Sequence, residues 1–371
     1  MSPLSIRLYA EEDTGAVADF NQRLRSNGIE FQFSEDPTPK WLPPQPGNPL
    51  YMQYFVAVEG PIVRGGYLIK HQPFFLKGQV VCTGNLQLPL SEGIIDNRYR
   101  ALGPRLVQHA LQQQPLTYAL GLGGLELPLP RLLRAMRWQM EVCPFFFYVC
   151  HPLRFLRQLH FLRRTPVRRF ALNLLAFSGV GYAGIRAAHR FRTKHSAPAG
   201  VASQPVGRFE EWVNKIWERA KPHYSFIAVR DLTALQTLYP EHDKRFHRLR
   251  VQRDGSDVGW AVVMSNWVQG HRQFGDMQLG SVVDCLAGPG QESAVVEEAT
   301  RVLRQLGSDL IVTNQLHQDW GDAFRRHGYL SGPSNFVFAV SPALAERLQP
   351  FGGNALRAHM TRGDGDGPIH L

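Results

Sequence analysis

The junction between an apolar strand and a helix near residue 100 constrains this chain more than any other stretch. Asn85-Leu86-Gln87-Leu88-Pro89 has the pattern of a strand end, and Arg98-Tyr99-Arg100-Ala101-Leu102-Gly103-Pro104 leads into a helix. The second stretch has the form Arg-x-x-Ala-x-Gly. Its small residues let backbone N–H groups and a helix N-terminus converge on one point, which suits a pyrophosphate. The junction therefore predicts a phosphate-binding loop.

Hydrophobic periodicity predicts a regular series of elements around this loop. In chain order these are strands at 5–9, 54–58, 64–69, 79–89, 116–122 and 144–150, with helices around 17–24, 103–112 and 130–138. The order β-α-β-β-β-α-β-α-β predicts an α/β fold with a mixed sheet.

The second half of the chain repeats this order. The predicted strands lie at 226–230, 246–253, 258–264, 279–286, 310–314 and 335–340, and the predicted helices at 231–239, 292–306 and 322–327. The loop differs, however. It reads Ala287-Gly288-Pro289-Gly290-Gln291-Glu292, in which Pro289 lacks an amide donor and Glu292 would bring negative charge to any phosphate.

This arrangement resembles the GNAT acyl-CoA N-acyltransferases, in which the loop after the fourth strand has the pattern Gln/Arg-x-x-Gly-x-Gly/Ala. Here Arg98, Ala101 and Gly103 fill the pattern, with Ala101 in place of its first glycine. The resemblance implies a site for acetyl-CoA or another acyl-CoA as co-substrate. It assigns this site to Leu86, Gln87 and Leu88 of the strand and to Arg98, Tyr99, Arg100, Ala101, Leu102, Gly103 and Pro104 of the loop.

The resemblance also implies where catalytic groups would lie. In the family a tyrosine on the late helix protonates the leaving thiolate, and the corresponding residues here are Leu133 and Phe324, neither of which donates a proton. Glu126 and Asp284 are the candidates for a general base, with a surface or salt-bridged acid as the alternative for each. His109 is expected on the surface.

Length and composition bound the remaining possibilities. A chain of 371 residues with 44% hydrophobic and 19% charged residues predicts two globular domains. The four cysteines (Cys82, Cys143, Cys150 and Cys285) have no metal-ligand spacing, so we expect free thiols and no metal. Residues 1–15 lack an apolar core and carry three acids, which predicts a cytoplasmic protein.

The net charge of +10 has one main source. Residues 154–194 contain nine arginines, one lysine and no acid, interleaved with apolar residues. Three interpretations remain open: a helix pair packed between the domains, a peripheral contact with an anionic inner membrane, and a flexible linker, which fits 196–205 best. Nucleic-acid binding is disfavoured because no stacking platform or binding motif is present.

The sequence thus predicts two tandem GNAT-like domains joined by a basic, apolar helical connector. The bounds are 1–150 for the domain with the cofactor loop, 151–206 for the connector, 207–347 for a degenerate copy and 348–371 for the tail. The tail alternates glycine and aspartate, which favours disorder, or else a segment that folds back to offer Asp364 and Asp366 to a polar substrate.

The predicted activity is acyl transfer to an amine, and tandem pairs of this kind resemble bacterial envelope- and polysaccharide-associated enzymes. That resemblance suggests an amino sugar of a surface-polysaccharide precursor as the acceptor. Two alternatives stay open: a non-catalytic GNAT-fold scaffold, and a Fem-like aminoacyl-tRNA-dependent peptidyl transferase.

Overall fold

The computed structural model describes residues 3–152, 154–155, 200–271 and 274–365. Most of the predicted connector, and with it the predicted membrane contact over 154–194, lies outside the described residues. No helix in the described ranges combines the length and hydropathy needed to cross a bilayer.

The first part of the chain runs from β1 to β7. Its elements are β1 (Leu4–Leu8), α1 (Thr14–Ser26), β2 (Tyr51–Glu59), β3 (Ile62–Leu76), β4 (Gln79–Ser91), α2 (Leu102–Gln113), β5 (Thr117–Gly121), α3 (Pro128–Ala135), β6 (Gln139–Val142) and β7 (Phe145–Val149).

The second part runs from β8 to β16. Its elements are β8 (Val201–Val206), α4 (Trp212–Ala220), β9 (Phe226–Ala228), α5 (Leu232–Leu238), β10 (His247–Arg253), β11 (Ser256–His271), β12 (Gly275–Ala287), α6 (Glu292–Gln305), β13 (Leu310–Asn314), α7 (Gln318–Arg326), β14 (Leu330–Gly332), β15 (Val337–Val340), α8 (Pro342–Arg347) and β16 (Ala358–His359).

The chain divides into two compact units, which we describe separately. Unit 1 contains residues 1–142 and 335–356. Its sheet has the order β1-β2-β3-β4-β5-β15-β6, with β4 and β5 parallel and the other neighbours antiparallel. Residues of α2 and α3 form a core on one face of this sheet, and residues of α1 form a second core with other strand residues.

Unit 2 contains residues 143–334 and 357–371. Its sheet has the order β14-β7-β13-β12-β11-β10-β8, with β12 and β13 parallel and the other neighbours antiparallel. The main core lies between the sheet and the helices α6 and α7. The short strand β9 pairs in parallel with β16.

Two strands lie in the unit opposite to the one that sequence order predicts. The aromatic strand β7 was expected to end the first copy, but it pairs with β13 and β14 in unit 2. Conversely, β15 lies between β5 and β6 in unit 1. The apolar residues of these segments predict that they form strands, but such a pattern does not specify the partner strand.

The first strand of the second copy is also different from the prediction. The expected strand at 226–230 forms over Phe226–Ala228, but β8 occupies the edge of the sheet next to β10. The sequence predicts a flexible linker over residues 196–205, of which 201–205 belong to β8. A short edge strand with small and polar residues and a proline has little of the hydrophobic alternation that marks a strand, which explains the error.

Candidate active site

The parallel strands β4 and β5 of unit 1 separate soon after they meet. Their only pairs are Gly84↔Thr117 and Asn85↔Tyr118, although β4 continues to Ser91 and β5 to Gly121. From Leu86 onwards β4 therefore no longer pairs with β5, and the two strands diverge. We call this opening the unit 1 cleft.

A β-bulge in β4 marks the same point. Opposite β3 the register passes from Leu68↔Gln87 to Gly66↔Leu90, so that Leu88 and Pro89 together face one residue. Leu88 has a φ of 45°, which is uncommon for a residue with a branched side chain. Bulges bend and twist a strand, and this one turns β4 away from β5.

The loop that follows β4 is tightly anchored. The Tyr99 hydroxyl donates to Glu59 at 2.7 Å, and the Arg64 guanidinium lies 4.7 Å from the Tyr99 ring centroid. A Cβ on Gly93 would come within 2.4 Å of the Tyr99 carbonyl, so only glycine fits there. The hydrogen bond from Tyr99 lowers the pKa of Glu59.

The loop ends at the N-terminus of α2, close to where the resemblance places a pyrophosphate. Ala101 is the N-cap residue, and Leu102 and Gly103 begin the helix. The amides in a first helical turn have no partner within the helix and face any ligand at its end. A Cβ on Gly103 would contact only Leu132, at 3.6 Å, so the space beside this residue is nearly open.

The charges of the loop are largely paired. Arg98 is exposed and forms an ion pair with Asp96 at 2.6 Å, while Glu92 pairs with Arg23 and Arg64. Arg100 is exposed and has no ion-pair partner among the described residues. It is therefore the loop cation most available to an anion.

The candidate base Glu126 lies on the surface beyond β5. Its side chain is 79% exposed and pairs with Arg131, also exposed. Leu133 and Phe324, which stand where the family has its tyrosine, are fully buried in the cores of units 1 and 2 respectively. No proton donor is therefore supplied from these two positions.

His109 is not the surface residue that was expected. It is half-buried on α2, and its Nδ1 lies 2.7 Å from the Tyr67 hydroxyl. Burial lowers the pKa of His109 and raises that of Tyr67 above its ordinary value. Tyr67 lies on β3 opposite the bulge, a juxtaposition that sequence spacing could not reveal because the two residues are far apart in the chain.

Unit 2 has the same strand geometry. The parallel pairs of β12 and β13 end at Ser281↔Val312, and a bulge follows at Val283, between Val262↔Asp284 and Val263↔Val282. We call the space between the two strands beyond Ser281 the unit 2 cleft.

Asp284 lies in this cleft but is not open to solvent. The Arg230 guanidinium donates to its carboxylate at 3.0–3.1 Å, and the Tyr239 hydroxyl donates at 3.0 Å. Burial is the largest influence on Asp284 and raises its pKa, whereas Arg230 opposes this. The arrangement is that of a structural anion rather than a base facing a substrate.

The tail residue Asp364 is not available to a substrate, unlike the sequence-based expectation. Asp364 is buried and ion-paired with Arg230, so it is part of the interior of unit 2 and is not offered to a substrate. Asp366 lies outside the described residues. Within the described ranges the four cysteines are free, and no group of three His, Cys, Asp or Glu side chains could hold a metal.

Among comparisons with known proteins, only the comparison with solved structures gives matches. No protein-family model and no curated protein matches this sequence. Solved structures do match over most of the chain. Saccharomyces cerevisiae N-myristoyltransferase with bound myristoyl-CoA has a TM-score of 0.53 at 12% identity, covering 92% of this chain and 79% of the yeast chain.

Two bacterial structures agree with this. A probable N-acyltransferase from Enterococcus faecalis has a TM-score of 0.51 at 9% identity, with 94% of this chain and 75% of that chain covered. A GCN5-related N-acetyltransferase from Kribbella flavida has a TM-score of 0.50 at 13% identity, with 92% and 72% covered. The chain has the GNAT fold. Each unit contains the parallel strand pair, the bulge and the following helix, so the predicted pair of GNAT-like units is confirmed.

Proposed function

We propose that this GNAT-fold protein is an acyl-CoA-dependent N-acyltransferase whose acyl-CoA binds in the unit 1 cleft. The observation that carries the proposal is the coincidence of three features: β4 and β5 separate after Asn85, a bulge follows at Leu88, and the N-terminus of α2 begins after the loop. An extended thioester arm would lie along β4 beyond Asn85. Its pyrophosphate would meet the amides at Leu102 and Gly103.

The reaction requires little covalent chemistry from the protein. The amine nitrogen attacks the thioester carbon, the carbon–sulfur bond breaks, the nitrogen loses a proton and the thiolate takes one up. Main-chain donors at the cleft would polarise the thioester carbonyl, which is the electrostatic part of the catalysis. Since Leu133 and Phe324 are apolar and buried, the thiolate would be protonated by water or by another group.

The proposed acyl donor and acceptor follow from the sequence resemblance. Acetyl-CoA is the acyl donor that we would try first. An amino sugar of a cell-surface polysaccharide precursor is our proposed acceptor on the strength of the sequence resemblance, and it awaits an acceptor screen. A peripheral membrane contact through 154–194 is likewise a proposal, which flotation with anionic liposomes would test.

One observation favours a second function. The tyrosine position is filled by a buried leucine in unit 1 and a buried phenylalanine in unit 2, as expected if the protein had become a non-catalytic scaffold. A scaffold that had lost its cofactor site would not bind acyl-CoA.

Isothermal titration of acetyl-CoA tests the proposal. We expect the wild type to bind, Gly103→Glu to lose binding because a carboxylate at the helix N-terminus repels the phosphates, and Gly103→Ala to bind nearly as well as the wild type. The alanine is the matched control because its Cβ meets only Leu132, at an ordinary contact distance. A folded wild-type protein that does not bind acetyl-CoA or longer acyl-CoAs would exclude the proposed function.

A further inference from the structure

We infer that the segment Arg357–Gly365 is an internal occupant of the unit 2 cleft and closes this cleft to acyl-CoA, so that the chain binds a single acyl-CoA. The inference rests on the proposed function, since acyl-CoA is the ligand that the segment excludes.

The segment spans the gap between the diverging strands. On the β13 side, the Leu316 amide donates to the Met360 carbonyl at 3.2 Å. On the β12 side, the Thr361 hydroxyl donates to Asp284 at 3.1 Å. Neighbouring residues of the segment thus bond to β12 and to the chain just after β13, beyond the point where the two strands stop pairing with each other. An extended ligand would lie there.

Buried charge fixes the segment in place. Arg230 donates to both carboxylate oxygens of Asp364 at 2.9 Å while it also binds Asp284, and all three side chains are at most 2% exposed. The Thr361 amide donates to Asp364 at 2.8 Å and closes the turn. Charges buried this deeply need such complete partners, so the segment is an integral part of the interior.

The packing leaves no room for a second occupant. A Cβ on Gly363 would come within 2.3 Å of the Tyr239 hydroxyl and 3.3 Å of the Asp284 Cβ. His359 is fully buried, with its ring centroid 5.0 Å from that of Tyr224 and 5.8 Å from that of Trp320. The segment therefore fills the space between the strands as tightly as a protein core.

A small cavity lies beside the cleft. It has a volume of about 40 Å³ and is lined by Tyr224, His317 and the loop from Ala287 to Glu292. Pockets that hold small-molecule ligands have volumes of about 300–1,000 Å³, so this cavity is too small for a thioester arm. Burial also raises the pKa of Glu292.

Two variants open the cleft in different ways. Gly363→Val adds side-chain atoms where a Cβ already clashes, and should expel the segment. Thr361→Ala combined with Asp364→Ala removes its side-chain bonds to Asp284 and Arg230 without adding volume. With the segment displaced in either variant, Arg230 and Asp284 remain as an oppositely charged pair in unit 2. Asp322→Asn, at an exposed ion pair of the same unit, is the control.

The readouts separate the inference from the proposed function. Alkylation rates of single cysteines, measured by mass spectrometry, report the cleft itself. Cys285 is fully buried on β12 beside Asp284, and buried Cys143 is the slow reference. Titration of acetyl-CoA into the wild type and Gly103→Glu reports the number and place of the cofactor sites.

We expect Cys285 to react at least tenfold faster in both opening variants, with Cys143 unchanged and the Asp322→Asn control like the wild type. We also expect one acetyl-CoA per wild-type chain and none in Gly103→Glu. Equal Cys285 rates in the wild type and both opening variants would overturn the inference, as would two acetyl-CoA per wild-type chain. A wild type that binds none would exclude the proposed function, and the Cys285 rates would still decide whether the segment occupies the cleft.

Discussion

The side chains of Arg230 and Asp284 form an ion pair that is 99% buried, and Asp364 completes it from the tail. The pair explains why an acid flanked by apolar residues in a predicted strand is not a catalytic base here. Its function is to hold β12, the chain before α5 and the tail segment together in unit 2.

Replacing Arg230 should be strongly destabilising. Arg230→Met leaves two buried carboxylates without a counter-charge, and breaking a buried pair in this way costs about 3–5 kcal/mol. Urea unfolding followed by tryptophan fluorescence would measure the loss. Arg245→Met is the matched control, because its partner Asp243 and Arg245 itself are partly exposed, and we expect a change of at most ~1 kcal/mol. Equal losses in the two variants would contradict the structural role of the buried pair.

His317 should make the stability depend on pH. Burial lowers its pKa to about 4, whereas the unfolded chain has a pKa of about 6.5, so the folded state favours the neutral ring. The contribution of His317 to the free energy of unfolding is therefore fully present above pH 6.5 and is lost as the pH falls towards 4. Between pH 7.5 and 5.0 this group should account for about 2 kcal/mol.

The His317→Asn variant tests this assignment. Nδ1 of His317 accepts from the Asp319 amide at the start of α7, and asparagine can supply an acceptor there. Urea unfolding would measure the free energy of unfolding at the two pH values. Between pH 7.5 and 5.0 this free energy should fall by about 2 kcal/mol less in the variant than in the wild type. An identical pH dependence in both proteins would show that other groups cause the effect.

The two arginines of the cofactor loop should differ in their effect on acyl-CoA binding. Arg98 is already paired with Asp96, whereas Arg100 has no ion-pair partner among the described residues. We expect Arg100→Ala to weaken acetyl-CoA binding about three- to fivefold, as for a partly screened charge contact, and Arg98→Ala to have a smaller effect. Titration at two salt concentrations would check this, and the reverse order would contradict it.

Substitutions in β15 and β7 should reduce amide-exchange protection in the strands that pair with them. Ala339 on β15 is fully buried in a core of unit 1, and Phe146 on β7 is fully buried in a core of unit 2. Ala339→Glu should therefore reduce amide-exchange protection in β5 and β6, and Phe146→Ala should reduce it in β13. Effects confined to the sequence neighbours of each residue, with the partner strands unchanged, would show that the strands are not exchanged.

The sequence by itself determined the local structure and the repeated order of elements. Hydrophobic alternation and the 3.6-residue period located most strands and helices to within a few residues, and small residues marked the loop at 98–103, because these signals depend only on near neighbours in the chain.

Only the tertiary structure decided which strand pairs with which and which buried charges meet. The exchange of β7 and β15 depends on competition between equally apolar partners, and the joining of Arg230, Asp284 and Asp364 depends on contacts across more than fifty residues. Long-range choices of this kind follow from packing and desolvation of the whole unit, which no local pattern of residues encodes.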